Sequence, residues 1–488
     1  LMKSSRYTLH PATLFFLLTA VIIFFSWLCN IYEVGTVHPQ TGEDIYVQSL
    51  LSSEGLRWLL RNITTNFTGF APLGMTLVAM LGIGVAQHSG FIDACIRRTR
   101  RTKGSSKRVI CEVILLGILS NVVGDAGYII LFPIAAILFR SAGLHPVGGI
   151  ITAYVSTACG YSANVVISTL DPIIARITQE AAIEAGLSQG GNVGALSNYS
   201  FMFVSTFLIA GIVYMLTVKK LLPALGTYEE GEQQQIVAYK QLSHKERRSL
   251  SLALIVVVIY IILILWATFS SQGVLRGVTG DLRRSPFIMG VLFIFSFGMG
   301  LAGAIYGFGS GRYRSDKDVI EGLTQPIRLL AVYIVIVFFA AQMFACLDYS
   351  HLDKCMLITA SDLFSSVKLT GIGMLLLFIV FVAFVNLFMV SATGKWTFMA
   401  FIFVPMFASM GIAPDITQCA FRIGDSATNT LTPFLFYMPL VFAYVRQYDN
   451  DFSYISLLRH TWRYSVYILI GWMALFVVWY SCGVAMGV

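Results

Sequence analysis

Apolar residues run along this chain in long blocks divided by short polar ones. There is neither the strict alternation of a half-buried strand nor the narrow stripe of a surface helix. A helix needs about 20 apolar residues to cross a hydrocarbon core. Nine segments meet that need, some only with a break allowed: 12–33, 70–96, 146–172, 199–218, 250–269, 286–308, 326–347, 414–445 and 462–486. Two more apolar stretches, 109–140 and 371–410, are interrupted midway by small and polar residues, Asn121-Val-Val-Gly-Asp-Ala-Gly127 and Ser391-Ala-Thr-Gly-Lys-Trp396. Each is either a pair of full spans or a re-entrant hairpin that returns to its own side. The expected fold class is an all-α polytopic membrane protein with nine transmembrane helices and two re-entrant hairpins.

Composition agrees. Of 488 residues, 57% are hydrophobic and only 12% charged, about half the charge of a soluble domain. That excludes an ordinary globular enzyme, a disordered chain and a nucleic-acid-binding protein. The apolar run from Thr13 is too long for a signal peptide and reads as the first span. With the N-terminus cytoplasmic, nine crossings and two hairpins, 22 Lys/Arg fall on the cytoplasmic side and 8 outside. Three lie within or at the edge of spans: Arg328, Lys395 and Arg422. This is the positive-inside asymmetry, and it leaves the C-terminus periplasmic. The net charge of +8 therefore records orientation. The basic run Arg97–Arg108 is expected to anchor topology and meet anionic headgroups rather than bind nucleic acid. The eight Cys form no CxxC or Cys/His cluster that would hold a metal. Most lie inside apolar runs and read as small packing residues; Cys346 and Cys355 flank an outer loop, and whether they pair stays open. The sequons at Asn62 and Asn66 matter only in a glycosylating host.

The two broken stretches are followed by similar text. After Asp125 come Phe132-Pro133, Gly143-Leu-His-Pro146, Ser162-Ala-Asn164 and Asp171-Pro172; after Lys395 come Val404-Pro405, Gly411-Ile-Ala-Pro414, Ala427-Thr-Asn429 and Thr432-Pro433. Asn121 and Asn164 are 43 residues apart, as are Asn386 and Asn429. The span parity gives the two copies opposite orientation, with 1–249 as the first (cytoplasmic linker 219–249 included), 250–269 as a linking span and 270–488 as the second. Inverted repeats of this kind mark secondary transporters. Two related units facing opposite ways exchange conformations and open a midplane site to either side. Irregular backbone at that depth must be shielded by protein or line a wet cavity, so the interrupted segments mark the expected binding site.

An ionisable group at mid-membrane costs about 2.5–3.5 kcal/mol on insertion scales, so each requires a reason. Asp125, Asp171, Lys395, Arg422 and Asp425 all lie in or beside the interruptions. Arg422, Asp425 and Asn429 share one helix face by their spacing. They are read either as a substrate anion on Arg422 with a cation held by Asp425, Asn429 and Asn386, or as a self-neutralising Arg–Asp pair with Asn bridging backbone. Carboxylate and amide oxygens suit Na⁺; a protonatable Asp suits H⁺, and the choice stays open. Trp396 either stacks on an aromatic substrate or sits at the interface. Thr393 and Ser391 offer hydroxyls at the same hairpin tip. Asp125 is its counterpart at the first tip, as a coupling-ion residue or a helix cap. Asp171 either caps a helix or gates, Ser162 and Asn164 form a second polar site, and Pro414 and Pro433 set geometry.

At these residues the sequence resembles the AbgT family, the p-aminobenzoyl-glutamate transporters and their antimetabolite-exporting relatives. The resemblance rests on Phe67-Thr-Gly-Phe-Ala-Pro-Leu-Gly74, Met80-Leu-Gly-Ile-Gly-Val-Ala86, Ser162-Ala-Asn164 with Asp171-Pro172, Trp396 with Val404-Pro-Met406, and Arg422-Ile-Gly-Asp-Ser426 with Asn429 and Pro433. It implies a homodimer in the bacterial inner membrane, with no cofactor and coupling to a Na⁺ or H⁺ gradient. It also implies a small-molecule substrate of the folate pathway, imported as p-aminobenzoyl-glutamate or exported as sulfonamides and p-aminobenzoate. Residues matching the family's important positions are Asp171, Thr393 (often Ser in relatives), Trp396, Pro414, Arg422, Asp425 and Pro433. A sodium-coupled importer of another dicarboxylate-like anion is the alternative.

No enzyme is expected. An intramembrane aspartyl protease needs two carboxylates sharing a proton, whereas Arg422 stands on the Asp425 face and the GxGD text is absent. A channel needs a continuous pore, and no Walker sequence supplies an ATP-driven pump.

Overall fold

The computed structural model describes residues 10–99, 106–123, 126–187, 193–228, 242–270, 272–277, 285–365 and 371–487. Asp125, part of the 97–108 basic run, half of the cytoplasmic 223–248 segment (229–241), and Lys3 and Arg6 lie outside the described residues.

Seven described helices are long and apolar enough to cross a membrane, and they fall on seven of the nine expected segments. The other two, 146–172 and 414–445, are each divided by a non-helical stretch. The chain opens with α1 (Pro11–Ile31), a small antiparallel hairpin of β1 (Gly35–Val37) and β2 (Asp44–Tyr46), the amphipathic α2 (Ser53–Thr68), α3 (Ala71–His88) and α4 (Phe91–Thr99). The first broken stretch forms α5 (Ser106–Ser120) and α6 (Ala126–Ser141). Next come α7 (Pro146–Cys159), an unwound 160–170, α8 (Asp171–Glu184) and α9 (Tyr199–Leu225, with a π turn at Thr217–Leu221).

The linking helix α10 (His244–Phe269) is followed by α11 (Pro286–Ser310), α12 (Asp316–Leu329), α13 (Ala331–Ser350) and α14 (Leu352–Ser365). The second broken stretch forms α15 (Gly371–Val385) and α16 (Ala392–Ser409). After it come α17 (Pro414–Ala427), an unwound 428–437, α18 (Met438–Val445) and α19 (Tyr454–Ser481). The amphipathic helices α2 and α12 were not expected from hydropathy, which read their polar faces as loop. Residues 326–329 belong to α12, so the following span starts at Ala331 rather than 326.

Packing between the two runs is reciprocal. Helix α1 lies on α13 and α11 on α3; α2 also touches α13, and α12 touches α3. Within each run, α5 crosses α7 and α15 crosses α17, while α16 packs on α8 and α18 on α6. The α3–α11 crossing is close because Gly82 has no side chain: a Cβ there would sit 1.6 Å from the Ser296 carbonyl oxygen. The Ser296 hydroxyl binds the Val78 carbonyl at 2.6 Å and accepts the Gly82 N–H at 2.9 Å, which ties the two helices through backbone. Gly424 does the same for α17 against α15, where a Cβ would lie 2.4 Å from the Ile379 carbonyl. Such small-residue contacts are how helices pack where water supplies no driving force.

Outward faces are apolar. Along α10, Leu252, Ile255, Val258, Ile262 and Trp266 are all exposed, and only Ser249, Leu250, Ala253 and Thr268 are buried. A continuous apolar face of this length is suited to lipid. The inward faces of α7 and α17 differ: every residue of α7 is buried, and so is Arg422-Ile-Gly-Asp-Ser426 of α17.

Candidate functional site

The site grows from the two places where helices stop. Pro146 and Pro414 stand at the first turn of α7 and α17, where a missing N–H costs nothing. Past Cys159 and Ala427 the backbone leaves the helix, which frees carbonyls and amides inside the protein. Pro433 lies in the second unwound stretch, where it cannot donate to a resumed helix.

Two buried ion pairs bridge the interruptions. Arg422 is 2% exposed, and its Nη2 donates to Asp171 Oδ1 at 2.5 Å and to the Ser162 carbonyl at 3.0 Å. Asp171 occupies the first turn of α8, and its Oδ2 accepts from the Ser168 amide at 2.5 Å and hydroxyl at 2.9 Å. The carboxylate thus holds the chain that leads into α8 and also neutralises Arg422; it caps no N–H of its own helix. Arg422 Nε, buried too, has no hydrogen-bond partner. The second pair is Lys395 with Asp425, Nζ to Oδ1 2.6 Å, with Lys395 0% exposed. The self-neutralising Arg422–Asp425 pair weighed from the sequence is therefore not formed. Each member of that helix face binds a partner from another helix, Asp171 on α8 and Lys395 on α16.

An amide chain continues from Lys395. Its Nζ donates to Asn386 Oδ1; Asn386 Nδ2 donates to Asn429 Oδ1 at 2.8 Å and to Thr428 Oγ1 at 3.1 Å; Asn429 Nδ2 donates to the Ala158 carbonyl at 2.9 Å. The chain runs from the turn between α15 and α16, across the second break, to the last turn of α7. The structure thus links Asn386 to Asn429 directly and to Asp425 through Lys395. On the other side, Ser426 Oγ donates to Ser162 Oγ at 2.9 Å, which fastens one interruption to the other. Asn164 is 4% exposed with neither amide atom hydrogen-bonded. Asn121 uses its Nδ2 on the Thr157 carbonyl at 3.0 Å and leaves Oδ1 unpartnered.

Trp396 is fully buried and so is not an interfacial residue. Its ring lies 4.3 Å from that of Phe421 at 31°, and its Nε1 donates to Thr178 Oγ1 at 2.8 Å. Thr178 lies 2.6 Å from Gln418 Oε1, and Gln418 Nε2 lies 2.6 Å from Asn198 Oδ1. Ser391 is the N-cap of α16, its Oγ accepting the Gly394 N–H at 3.2 Å, and Thr393 is half-buried in the first turn. Thr178, Gln418 and Phe421 were missed from the sequence, and Lys395 had been given no role. Gln418 was accessible in principle, since it lies one turn before Arg422 on the same face. Thr178 required the packing of α8 on α16. Cys346 and Cys355 are both free thiols.

A polytopic helical protein with lipid-suited faces and charged pairs buried between two broken helices has the build of a membrane transporter. The profile of the AbgT putative transporter family matches residues 6–488, and the chain belongs to that family. It is 29% identical over 482 residues to the p-aminobenzoyl-glutamate transport protein of Escherichia coli (strain K12), covering 98% of this chain and 93% of that protein. Two solved structures are similar. One is the Alcanivorax borkumensis YdaH transporter, at 33% identity and a TM-score of 0.53, covering 98% of this chain and 100% of that one. The other is Neisseria gonorrhoeae MtrF, described as one of a class of antimetabolite efflux pumps, at 34% identity and a TM-score of 0.52, covering 98% and 96%.

Proposed function

We propose that this protein is a secondary carrier of p-aminobenzoyl-glutamate, p-aminobenzoate and sulfonamide-like compounds, driven by a H⁺ or Na⁺ gradient through alternating access. The observation that carries the reading is Arg422, a buried guanidinium between two unwound stretches with Nε still free. Planar aminobenzoate carboxylates match a guanidinium fork. The names of the relatives in Escherichia coli and Neisseria gonorrhoeae point to the same substrate class. The reciprocal packing of α1–α9 and α11–α19 supports two inverted units that exchange shapes, with nine crossings and two re-entrant hairpins. The N-terminus is placed in the cytoplasm and the C-terminus in the periplasm of a bacterial inner membrane, with the protein acting as a homodimer. Each 100 mV of membrane potential adds about 2.3 kcal/mol per coupled charge, enough to drive accumulation.

Flux of labelled p-aminobenzoyl-glutamate and of a sulfonamide into proteoliposomes, under imposed Na⁺ or H⁺ gradients, tests this. At least one compound is expected to move in response to a gradient, and Arg422→Ala and Asp425→Ala to abolish the movement. Flux that ignores every gradient defeats the coupling, and wild-type flux in both variants defeats the site.

A further inference from the structure

Asn386, Asp425 and Asn429 are the residues whose oxygens would hold a coupling Na⁺. Their donor set does not fit one. Asn386 Oδ1 accepts from Lys395 Nζ, Asp425 Oδ1 lies 2.6 Å from the same nitrogen, and Asn429 Oδ1 accepts from the Asn386 amide at 2.8 Å. We propose that the Lys395 ammonium is a built-in cation filling the place Na⁺ would take, so that the carrier neither needs nor binds Na⁺ at this trio.

The direction of the hydrogen bonds makes the case. An ammonium has only donors, so Asn386 must turn its oxygen to Lys395 and its NH₂ away. That NH₂ then meets Asn429 Oδ1 and Thr428 Oγ1, which leaves the Asn429 NH₂ for the Ala158 carbonyl. One positive charge thus sets the polarity of the chain from α16 to α7, as a metal ion at that point would. Lys395 is 0% exposed and Asp425 1%, so solvent does not relieve either. A Na⁺ added beside the ammonium would place two cations within about 4 Å at interior dielectric, where like charges repel strongly. With Lys395, Arg422, Asp171 and Asp425 the two pairs also balance without a metal.

The inference rests on the proposed function only in treating this cluster as the carrier's cation pocket. Its test uses no substrate, so the two can fail separately. The full-length purified protein is melted in NaCl and in choline chloride at equal ionic strength. The wild type is expected to melt at the same temperature in both. Lys395→Ala removes the ammonium and leaves Asp425 buried with room beside it; Na⁺ is expected to raise its melting temperature over choline by about 2 °C or more. Lys395→Ala/Asp425→Ala is expected to lose that shift. A Na⁺-specific shift in the wild type overturns the proposal, as does a folded Lys395→Ala that responds equally to both salts. Should Lys395→Ala fail to accumulate, the wild-type comparison decides alone: equal melting in both salts supports the proposal and a Na⁺-specific shift overturns it.

Discussion

The two interrupted helices share a spacing and differ in charge. Asn121 and Asn164 are as far apart in sequence as Asn386 and Asn429. Four residues before Asn429 stands Asp425, and four before Asn164 stands Gly160; seven before them stand Arg422 and Thr157. The second break therefore carries the charged face and the first a neutral one. In the second, both asparagines are hydrogen-bonded into a chain that ends on Lys395. In the first, Asn164 bonds to nothing and Asn121 leaves its oxygen free. Similar backbone architecture thus serves two purposes. One break concentrates charge, and the other lends it the Ser162 and Ala158 carbonyls and the Asp171 carboxylate.

If that division is right, the largest effect comes from the charge that crosses it. Arg422→Ala or Asp171→Ala leaves its partner buried and unpaired, a loss of about 3–5 kcal/mol. Each should lower the melting temperature sharply and abolish flux. Replacing both, as Arg422→Met/Asp171→Leu, should recover most of the stability, because no uncompensated charge remains, while flux stays absent. Recovered flux in the double variant would mean that Arg422 serves the fold alone.

How much of this was legible beforehand follows the same line. Long apolar blocks, the Pro and Gly breaks and the isolated intramembrane charges can be read from sequence because each is a local departure from hydropathy. The partners of those charges cannot. Arg422 and Asp425 stand one turn apart, so helical spacing left a pair between them as one of two readings. Their actual partners, Asp171 and Lys395, are 251 and 30 residues away and arrive through α8 and α16 packing against α17. Lys395 stood out as a charge at depth, yet only the fold shows its ammonium against the Asn386 and Asp425 oxygens that one reading offered to Na⁺. The amphipathic α2 and α12 stayed hidden because hydropathy averages their two faces.

A middle-sized effect separates the asparagines. Asn429→Ala removes a bridge bonded on both sides, taking one of two acceptors from the Asn386 amide and the side-chain donor from the Ala158 carbonyl. It should cost about 1–3 kcal/mol of stability. Asn164→Ala removes no hydrogen bond and should leave the melting temperature close to wild type. A buried amide with no protein partner usually has a ligand or water in its place, so flux should still fall, by about tenfold, the loss of one modest contact. Equal loss of stability in both variants would erase the distinction between the breaks.

The smallest effect is at the hydroxyl pair that joins them. Ser426 Oγ donates to Ser162 Oγ, but what Ser162 gives Arg422 is its backbone carbonyl, which no side-chain change removes. Ser426→Ala and Ser162→Ala should each cost about 1 kcal/mol, the net worth of one neutral hydrogen bond. A double-mutant cycle should assign most of that cost to the coupling between them. Flux should fall by less than about tenfold in either variant, since a contribution of this size changes a rate or an affinity by no more. A Ser162→Ala carrier as inactive as Arg422→Ala would place the hydroxyl against the substrate, and the first break would then share the chemistry assigned here to the second.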